Sequence, residues 1–454
     1  MIEFLFLLGM VHVTIGLIYN TPFCFTGRIP TTDGFETKKF YSKRDTVLTD
    51  EGHDWSKPIE EGPYEIGFDT SYITAGGIQS PPYVFFRNNT LDFGGTSIKY
   101  WDEGNYSMPR GLSMIKLPGE GSDAWDSTSY NMKLVNETKS FLDQHIEEES
   151  NPFFTYIALG AVHFPHSPPY RFDDGSAVAG QYGTAHMDVL YEMDKVVGAL
   201  VEALDERNLL EDTIVIFTSD NGGLNNETFS AQHGHFSNGP LRGAKASVYE
   251  GGIHIPMTFR WDNGNIPKNE TRSNIIGLND LFKTICGLAN VEVPTDQAMD
   301  SIDFTKYIFN PRKTGGLRQT FGAWVYDSSR LISEALRHRD MKLVRSFQND
   351  TFELFNLTED VSESTDVSAQ NENIVKKLFN KLKKVGPCYD RGGLFKVKNK
   401  KNKRGFLFKS CYWFRKKRTS ERCKRYPEGR IHCRSSCAGS NSRYCTKDLH
   451  SEVE

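Results

Sequence analysis

The sequence predicts an α/β fold, a mostly parallel sheet flanked by helices, followed by a small α+β sub-domain and a disulfide-rich tail. Three observations predict it. Two short apolar runs, 153–159 (FFTYIAL) and 213–218 (TIVIFT), are rich in aromatic and β-branched residues and bounded by polar or turn residues, as strands buried on both faces are. Between them Met187, Leu190, Tyr191, Val197, Leu200, Val201 and Leu204 recur at helical spacing. Strand, long helix, strand is a crossover, and crossovers join parallel strands. Finally, 454 residues with 38% hydrophobic content are enough to bury a sizeable core, which excludes disorder throughout.

Taken in order, the chain opens on an apolar run, 4–19, of signal-peptide length, preceded by Glu3 and without Lys or Arg ahead of it. It reads either as a secretory leader within 1–20 or as a buried strand or helix. The α/β domain is assigned to 21–314, with 277–287 (GLNDLFKTICG) as one of its amphipathic helices. The sub-domain, 315–385, contains a hairpin candidate around a turn at Gln348–Asp350 and a basic amphipathic helix at 375–385 (VKKLFNKLKKV) that closes it as a surface helix. Beyond Gly386 the composition shifts to Lys, Arg, Gly and Cys, and 386–454 forms a basic cysteine-rich module. No internal repeat is evident, which excludes a solenoid or propeller.

The net charge of −4 conceals an asymmetry, because residues 381–454 hold 22 Lys/Arg against 6 Asp/Glu and residues 1–380 hold 32 against 52. An acidic body therefore carries a cationic tail suited to a polyanion such as a sulfated glycan. Six of the eight cysteines (Cys388, Cys411, Cys423, Cys433, Cys437, Cys445) fall in that tail. Without a C-x-x-C pair, and with only His432 and His450 nearby, disulfides are a better reading than zinc, and their pairing stays open. Seven N-x-S/T sequons, at Asn88, Asn105, Asn136, Asn226, Asn269, Asn349 and Asn356, join the cysteines in favouring a secreted, lysosomal or other secretory-pathway location. That route argues against a nucleic-acid partner, and no transmembrane helix is expected.

Ligands of an open parallel sheet gather beyond the carboxyl ends of its strands, so the residues after each run come first. After 213–218 stand Ser219-Asp220-Asn221-Gly222-Gly223, whose Asp220 and Asn221 offer hard oxygen ligands to Ca²⁺ or Mg²⁺, although D-N-G-G is also an ordinary turn. After 153–159 come Ala161-Val162-His163-Phe164-Pro165-His166, in which His163 is a candidate proton donor or anion ligand. A third stretch, Asn238-Gly239-Pro240-Leu241-Arg242-Gly243-Ala244-Lys245, is followed by Tyr249-Glu250-Gly251-Gly252-Ile253-His254-Ile255-Pro256. Two cations among glycines suit a loop folded around a tetrahedral oxyanion, and a solvated basic loop is the plainer alternative.

Together, F-T-S-D-N-G-G, N-G-P-L-R-G-A-K and Y-E-G-G-I-x-I-P resemble the signature of the sulfatase family, in its arylsulfatase and N-acetylgalactosamine-sulfatase branch. The resemblance extends from about residue 60 to 385 and includes 352–366 (FELFNLTEDVSESTD). It implies an alkaline-phosphatase-like fold and hydrolysis of a sulfate ester of a carbohydrate or aryl alcohol, using a formylglycine beside a divalent cation. It further implies that Asp220 and Asn221 ligate the metal, and that His163 and Lys245 contact the sulfate and help protonate the departing oxygen. Arg242 becomes a substrate contact or, more simply, the brace of its loop, and His166, His233 and His235 become pocket-lining residues.

The resemblance fails upstream. The family's acidic pair at the end of a first apolar strand has no counterpart after residues 4–19, its C-x-P/A-x-R motif is replaced around Cys24 by C-F-T-G-R, and its K-W-H-L-G segment is represented only by His53. A missing first strand would leave its neighbours' edges exposed, so the sequence leads us to expect an incomplete scaffold. It also keeps open a second function, a non-catalytic binder of sulfated glycans. The tail's C-x3-C step faintly resembles ShK-type toxin-like modules, while its other spacings differ.

Overall fold

The computed structural model describes residues 3–9, 28–29, 38–39, 55–59, 62–92, 94–105, 113–115, 117–148, 152–224, 231–293, 298, 300–313, 315–327, 330–385, 394–398 and 406–410. The chain divides into two compact units, Met1–Ile15 with Cys24–Ser237 and His254–Lys268, and Gly16–Phe23 with Asn238–Ile253 and Asn269–Glu454.

The first unit is organised by a four-stranded sheet. Strand β1 (Glu3–Gly9) lies between β2 (Phe154–Leu159) and β3 (Thr213–Ser219) and runs parallel to both, while β4 (Met257–Arg260) pairs antiparallel with β3. The scaffold therefore has the strand that the sequence reading expected to be missing. Part of the run that reads as a leader is this strand, and the ambiguity has a physical origin: a central parallel strand is apolar on both faces, and so is a leader. Helices α1 (Tyr130–Glu148) and α2 (Ala185–Asp205) carry Val135, Leu142, Val196, Leu200 and Leu204 into one core with Ile157 and Leu159 of β2 and Val215 of β3.

Helix α2 forms where the periodicity places it, and Thr184 caps it by accepting a hydrogen bond from the Met187 amide at 3.2 Å. Its buried stripe is rotated from the expected one. The covered positions are His186, Asp188, Val189, Glu192, Val196, Ala199, Leu200, Ala203 and Leu204, whereas Met187, Leu190, Tyr191, Val197 and Val201 are half-buried. A carboxyl group thus sits within the most buried line of the helix.

The second unit is built on an antiparallel meander of β5 (Thr320–Asp327), β6 (Arg330–His338), β7 (Met341–Ser346) and β8 (Thr351–Asn356). The β7–β8 hairpin turns at the expected place. On one face Leu336, Leu343 and Leu354 pack with Leu378 and Leu382 of the basic C-terminal helix Glu372–Val385, and on the other Ala335, Val344 and Phe355 pack with Val248. This unit is larger than the sub-domain read from the sequence, because ion pairs and hydrogen bonds hold 238–253 and the chain from Asn269 within it. Arg318 pairs with the buried Asp280, and Arg272 donates to the carbonyls of Tyr307 and Ile308 at 2.9 Å each.

In the tail, β9 (Leu394–Lys398) and β10 (Phe406–Ser410) pair antiparallel. All six tail cysteines, and Cys24 and His53, lie outside the described residues, and Cys286 is a free thiol. Among the described residues no helix is long and apolar enough to cross a membrane.

Candidate functional site

The register of the parallel strands fixes which loops share an edge. Gly9 is paired with Leu159 on one side and Ser219 on the other, so β2, β1 and β3 end in one row. Immediately beyond that row the chain continues into Gly160–His163 from β2 and into Asp220-Asn221 from β3. His163, Asp220 and Asn221 are thereby delivered to the carboxyl edge of the sheet, where such folds bind ligands. Beyond β1 the sequence reads Met10-Val11-His12, without the acidic pair the family places there.

At the end of β3, the Asn221 amide donates to Asp220 Oδ1 at 2.7 Å, and the Ser219 hydroxyl donates to the Asn221 carbonyl at 2.8 Å. Thr218 donates to the Pro256 carbonyl at 2.8 Å and ties this end to the approach of β4. The pair is fixed, yet Ca²⁺ takes six to eight oxygen ligands, roughly three times what one dipeptide's two side chains supply. Among the described residues no three His, Cys, Asp or Glu side chains form a group able to hold a metal ion. The residues described therefore do not fit a divalent cation unaided.

His163 is buried, and its Nδ1 lies 2.6 Å from the Phe164 carbonyl. A carbonyl only accepts, so Nδ1 carries the proton in the neutral ring. The segment before it is anchored to α1: the Gly160 and Ala161 amides donate to Asn131 Oδ1 at 2.9 and 3.3 Å, and the His163 amide donates to the Gly160 carbonyl at 2.8 Å. A Cβ on Gly160 would stand 2.9 Å from the Tyr130 ring, so glycine is what allows this backbone to lie against α1.

Three histidine rings form a row in the same unit, His166 to His186 at 4.9 Å and His186 to His235 at 5.6 Å between centroids. Burial, and then the neighbouring His186, push the His166 pKa down to about 4, and burial followed by His235 lowers that of His186. His166 is thus a neutral ring at pH 7 whose buried Nε2 has no hydrogen-bond partner. It can offer a lone pair to a hydroxyl but no charge to a sulfate. His233 is exposed.

Arg242 and Lys245 belong to the second unit. The Arg242 guanidinium lies over the Tyr249 ring, 3.9 Å from its centroid, and donates to Glu353 at 3.1 Å, to the Glu363 carbonyl at 3.0 Å and to the Tyr249 hydroxyl at 3.1 Å. Tyr249 in turn donates to Glu353, and burial, then that carboxylate, pushes its pKa up to about 12. These contacts are those of a brace. Helix α3 (Glu250–Ile253) is pinned against the same loop, since the Gly251 amide donates to the Arg242 carbonyl at 2.7 Å and a Cβ there would come 2.4 Å from the Gly243 carbonyl oxygen. Below it Lys342 pairs with Glu250 at 2.9 Å and Glu363 at 2.8 Å, all three buried.

Comparison with known proteins decides what this edge and loop belong to. The sequence pattern of the Sulfatase family matches residues 64–291, half of the chain, and that of the N-sulphoglucosamine sulphohydrolase C-terminal domain matches 242–386. The chain belongs to the sulfatase family. An N-acetylgalactosamine-6-O-sulfatase of Bacteroides thetaiotaomicron is 28% identical over 378 residues, which is 74% of this chain and 71% of that protein. The steryl-sulfatase of Rattus norvegicus is 34% identical over 39% of this chain, which spans only 30% of that protein. A solved Bacteroides thetaiotaomicron sulfatase, from work on the metabolism of multiple glycosaminoglycans, shares the fold with a TM-score of 0.60 at 24% identity, covering 74% of this chain and 76% of that one.

For a sulfatase, the residues that sequence reasoning missed are Asn131, His186, Glu192, and the Glu250–Lys342–Glu363 group. One signal was available, since Glu192 stands in a run that a helical wheel turns inward once the stripe is placed correctly.

Proposed function

We propose that this sulfatase acts on a sulfate ester of a carbohydrate, with 6-sulfated N-acetylgalactosamine as the first substrate to try, given what its bacterial relative is named for. The observation that supports it is the shared row of strand ends, from which His163, Asp220 and Asn221 all project their segments. In this reading water attacks the sulfur as its bond to the sugar oxygen breaks, and His163, protonated on both ring nitrogens, passes the Nε2 proton to the departing oxygen, while in the second unit Arg242 holds the loop that carries Lys245. Asp220 and Asn221 would offer two oxygen ligands toward a cation, fewer than one requires, and no step of this reading runs through a metal.

A second reading, a non-catalytic binder of sulfated glycans in the secretory pathway, draws on the sequence after β1, which places Met10 and Val11 where the family has its acids. It also draws on the tail, whose hairpin sets Lys396 opposite Phe408 and Lys398 opposite Phe406, a basic strand pair suited to a polyanion.

One experiment separates the readings. Incubation of the full chain with 6-sulfated N-acetylgalactosamine and Ca²⁺, with sulfate measured by ion chromatography and binding by calorimetry, should give release that His163→Ala abolishes. Binding without release would establish the second reading, and neither binding nor release would overturn both.

A further inference from the structure

Glu192 on α2 is 1% exposed and belongs to no ion pair among the described residues; its Oε1 accepts a 2.9 Å hydrogen bond from Asn131 Nδ2. Asn131 is itself buried, and its other side-chain atom, Oδ1, receives the amides of Gly160 and Ala161. Gly160 then receives the His163 amide. The carboxyl of α2 is therefore connected through one amide side chain to the backbone that sets His163 in place, and every group on this path is in the first unit.

We propose that Glu192 is a positioning residue: as an uncharged carboxylic acid it orients Asn131, which clamps the Gly160–Ala161 backbone and thereby fixes the His163 segment, and its ionisation releases the clamp. The functional meaning of the clamp rests on the role given to His163 above; the clamp itself does not. Asn131 has one amide nitrogen and one oxygen to deploy, and which one faces Gly160 is decided by what faces the nitrogen. Glu192 is that acceptor. A charge created at Glu192 would be buried with no cation paired to it among the described residues, so the protein would have to open to solvate it and loosen the packing of α1 on the end of β2.

Burial pushes the Glu192 pKa up to about 8, against which the Asn131 hydrogen bond acts weakly. The neighbouring ionisable groups are occupied or neutral. On α2, Asp188 accepts from the Gly180 and Tyr182 amides at 2.6 and 2.7 Å, Lys195 pairs with Asp174 at 2.8 Å, and burial lowers the pKa of His186. On α1, Tyr130 is hydrogen-bonded to Thr74 with its pKa raised by burial, Lys133 lies over Phe85, and Glu137 pairs with Arg87. The only ionisable side chain of β2 is Tyr156.

The test is hydrogen–deuterium exchange of the full chain, read at the Gly160, Ala161 and His163 amides and, as a reference, at the amides of β3. Each rate is corrected for the intrinsic pH dependence of exchange. Between pH 7 and 9.5 the wild-type protection at those three amides should fall about tenfold or more while β3 holds, because a local opening is being favoured. Glu192→Gln keeps the acceptor and cannot ionise, so its protection should stay level across the same range. Wild-type protection that does not change with pH, or a fall in Glu192→Gln equal to that of wild type, would overturn the proposal. Neither outcome bears on sulfate release, so a failed clamp and a failed functional assignment are told apart.

Discussion

Burial of the Glu192 carboxyl against Asn131 on α1 makes the stability of the first unit depend on pH. A carboxyl whose pKa is about 4.5 in the unfolded chain and about 8 in the folded one favours folding fully only below the unfolded value. As pH rises from 4.5 the unfolded state releases a proton the folded state keeps, and about 1.4 kcal/mol of stability is lost per unit until the folded group also titrates near pH 8. Glu192→Gln should therefore flatten that slope and raise stability at pH 8 by roughly 2–4 kcal/mol, discounted from the full shift for relaxation around the charge. Urea denaturation at pH 5, 6.5 and 8 reads it directly, and an unchanged slope would place the titrating group elsewhere. His163 and Asp220 could be picked out from sequence because they follow apolar strands, whereas Glu192 shows there only as a position on the inward stripe of α2, its importance coming from burial against Asn131, sixty-one residues away.

At the level of elements, the loop carrying Arg242 and Lys245 is held by charge buried beneath it. Lys342 is fully buried between Glu250 of α3 and Glu363, with Arg337 3.5 Å from Glu250. Replacing Lys342 by Met would leave two buried carboxylates without their cation, and should cost about 3–5 kcal/mol. Substituting Lys342, Glu250 and Glu363 together with apolar residues of similar volume should restore most of that stability, while leaving the Arg242 brace to Glu353 and Tyr249. Thermal denaturation of the two variants distinguishes this account from one in which Lys342 merely packs. In the opposite face of the meander, Leu343→Ala should cost about 2–5 kcal/mol, since Leu343 is wholly enclosed by Leu336, Leu354 and the C-terminal helix. The β7–β8 hairpin and the C-terminal helix were legible in the sequence, and β5 and β6 were not read from it. The boundary of the unit was not legible either, because it is drawn by ion pairs between segments far apart in sequence.

Over the whole molecule, the family was legible from three linked motifs, and the order of the central sheet was not. An apolar run at the N-terminus reads alike as a leader or as a parallel strand, and the register that pairs Gly9 with Leu159 and Ser219 is not visible in it. That pairing puts the strand in position, and the acidic pair that the family resemblance would place after it is not in the sequence. The cationic tail, 22 Lys/Arg against 6 Asp/Glu in residues 381–454, should add a salt-sensitive attraction to polyanions. Removing 386–454 should weaken retention on a sulfated polysaccharide matrix by about tenfold at low salt and narrow the difference at high salt. Equal retention of both forms would mean the tail contributes no contact.

The central claim is that this chain recognises the sulfate group of a sugar at the edge formed by β2, β1 and β3, with His163 among the groups that contact it. Calorimetric titration with 6-sulfated N-acetylgalactosamine and with its unsulfated parent tests it most directly. The account predicts binding of the sulfated sugar at least about tenfold tighter than the parent, with that preference removed by His163→Ala. Equal affinity for the two sugars, or a preference unaffected by that substitution, would contradict it.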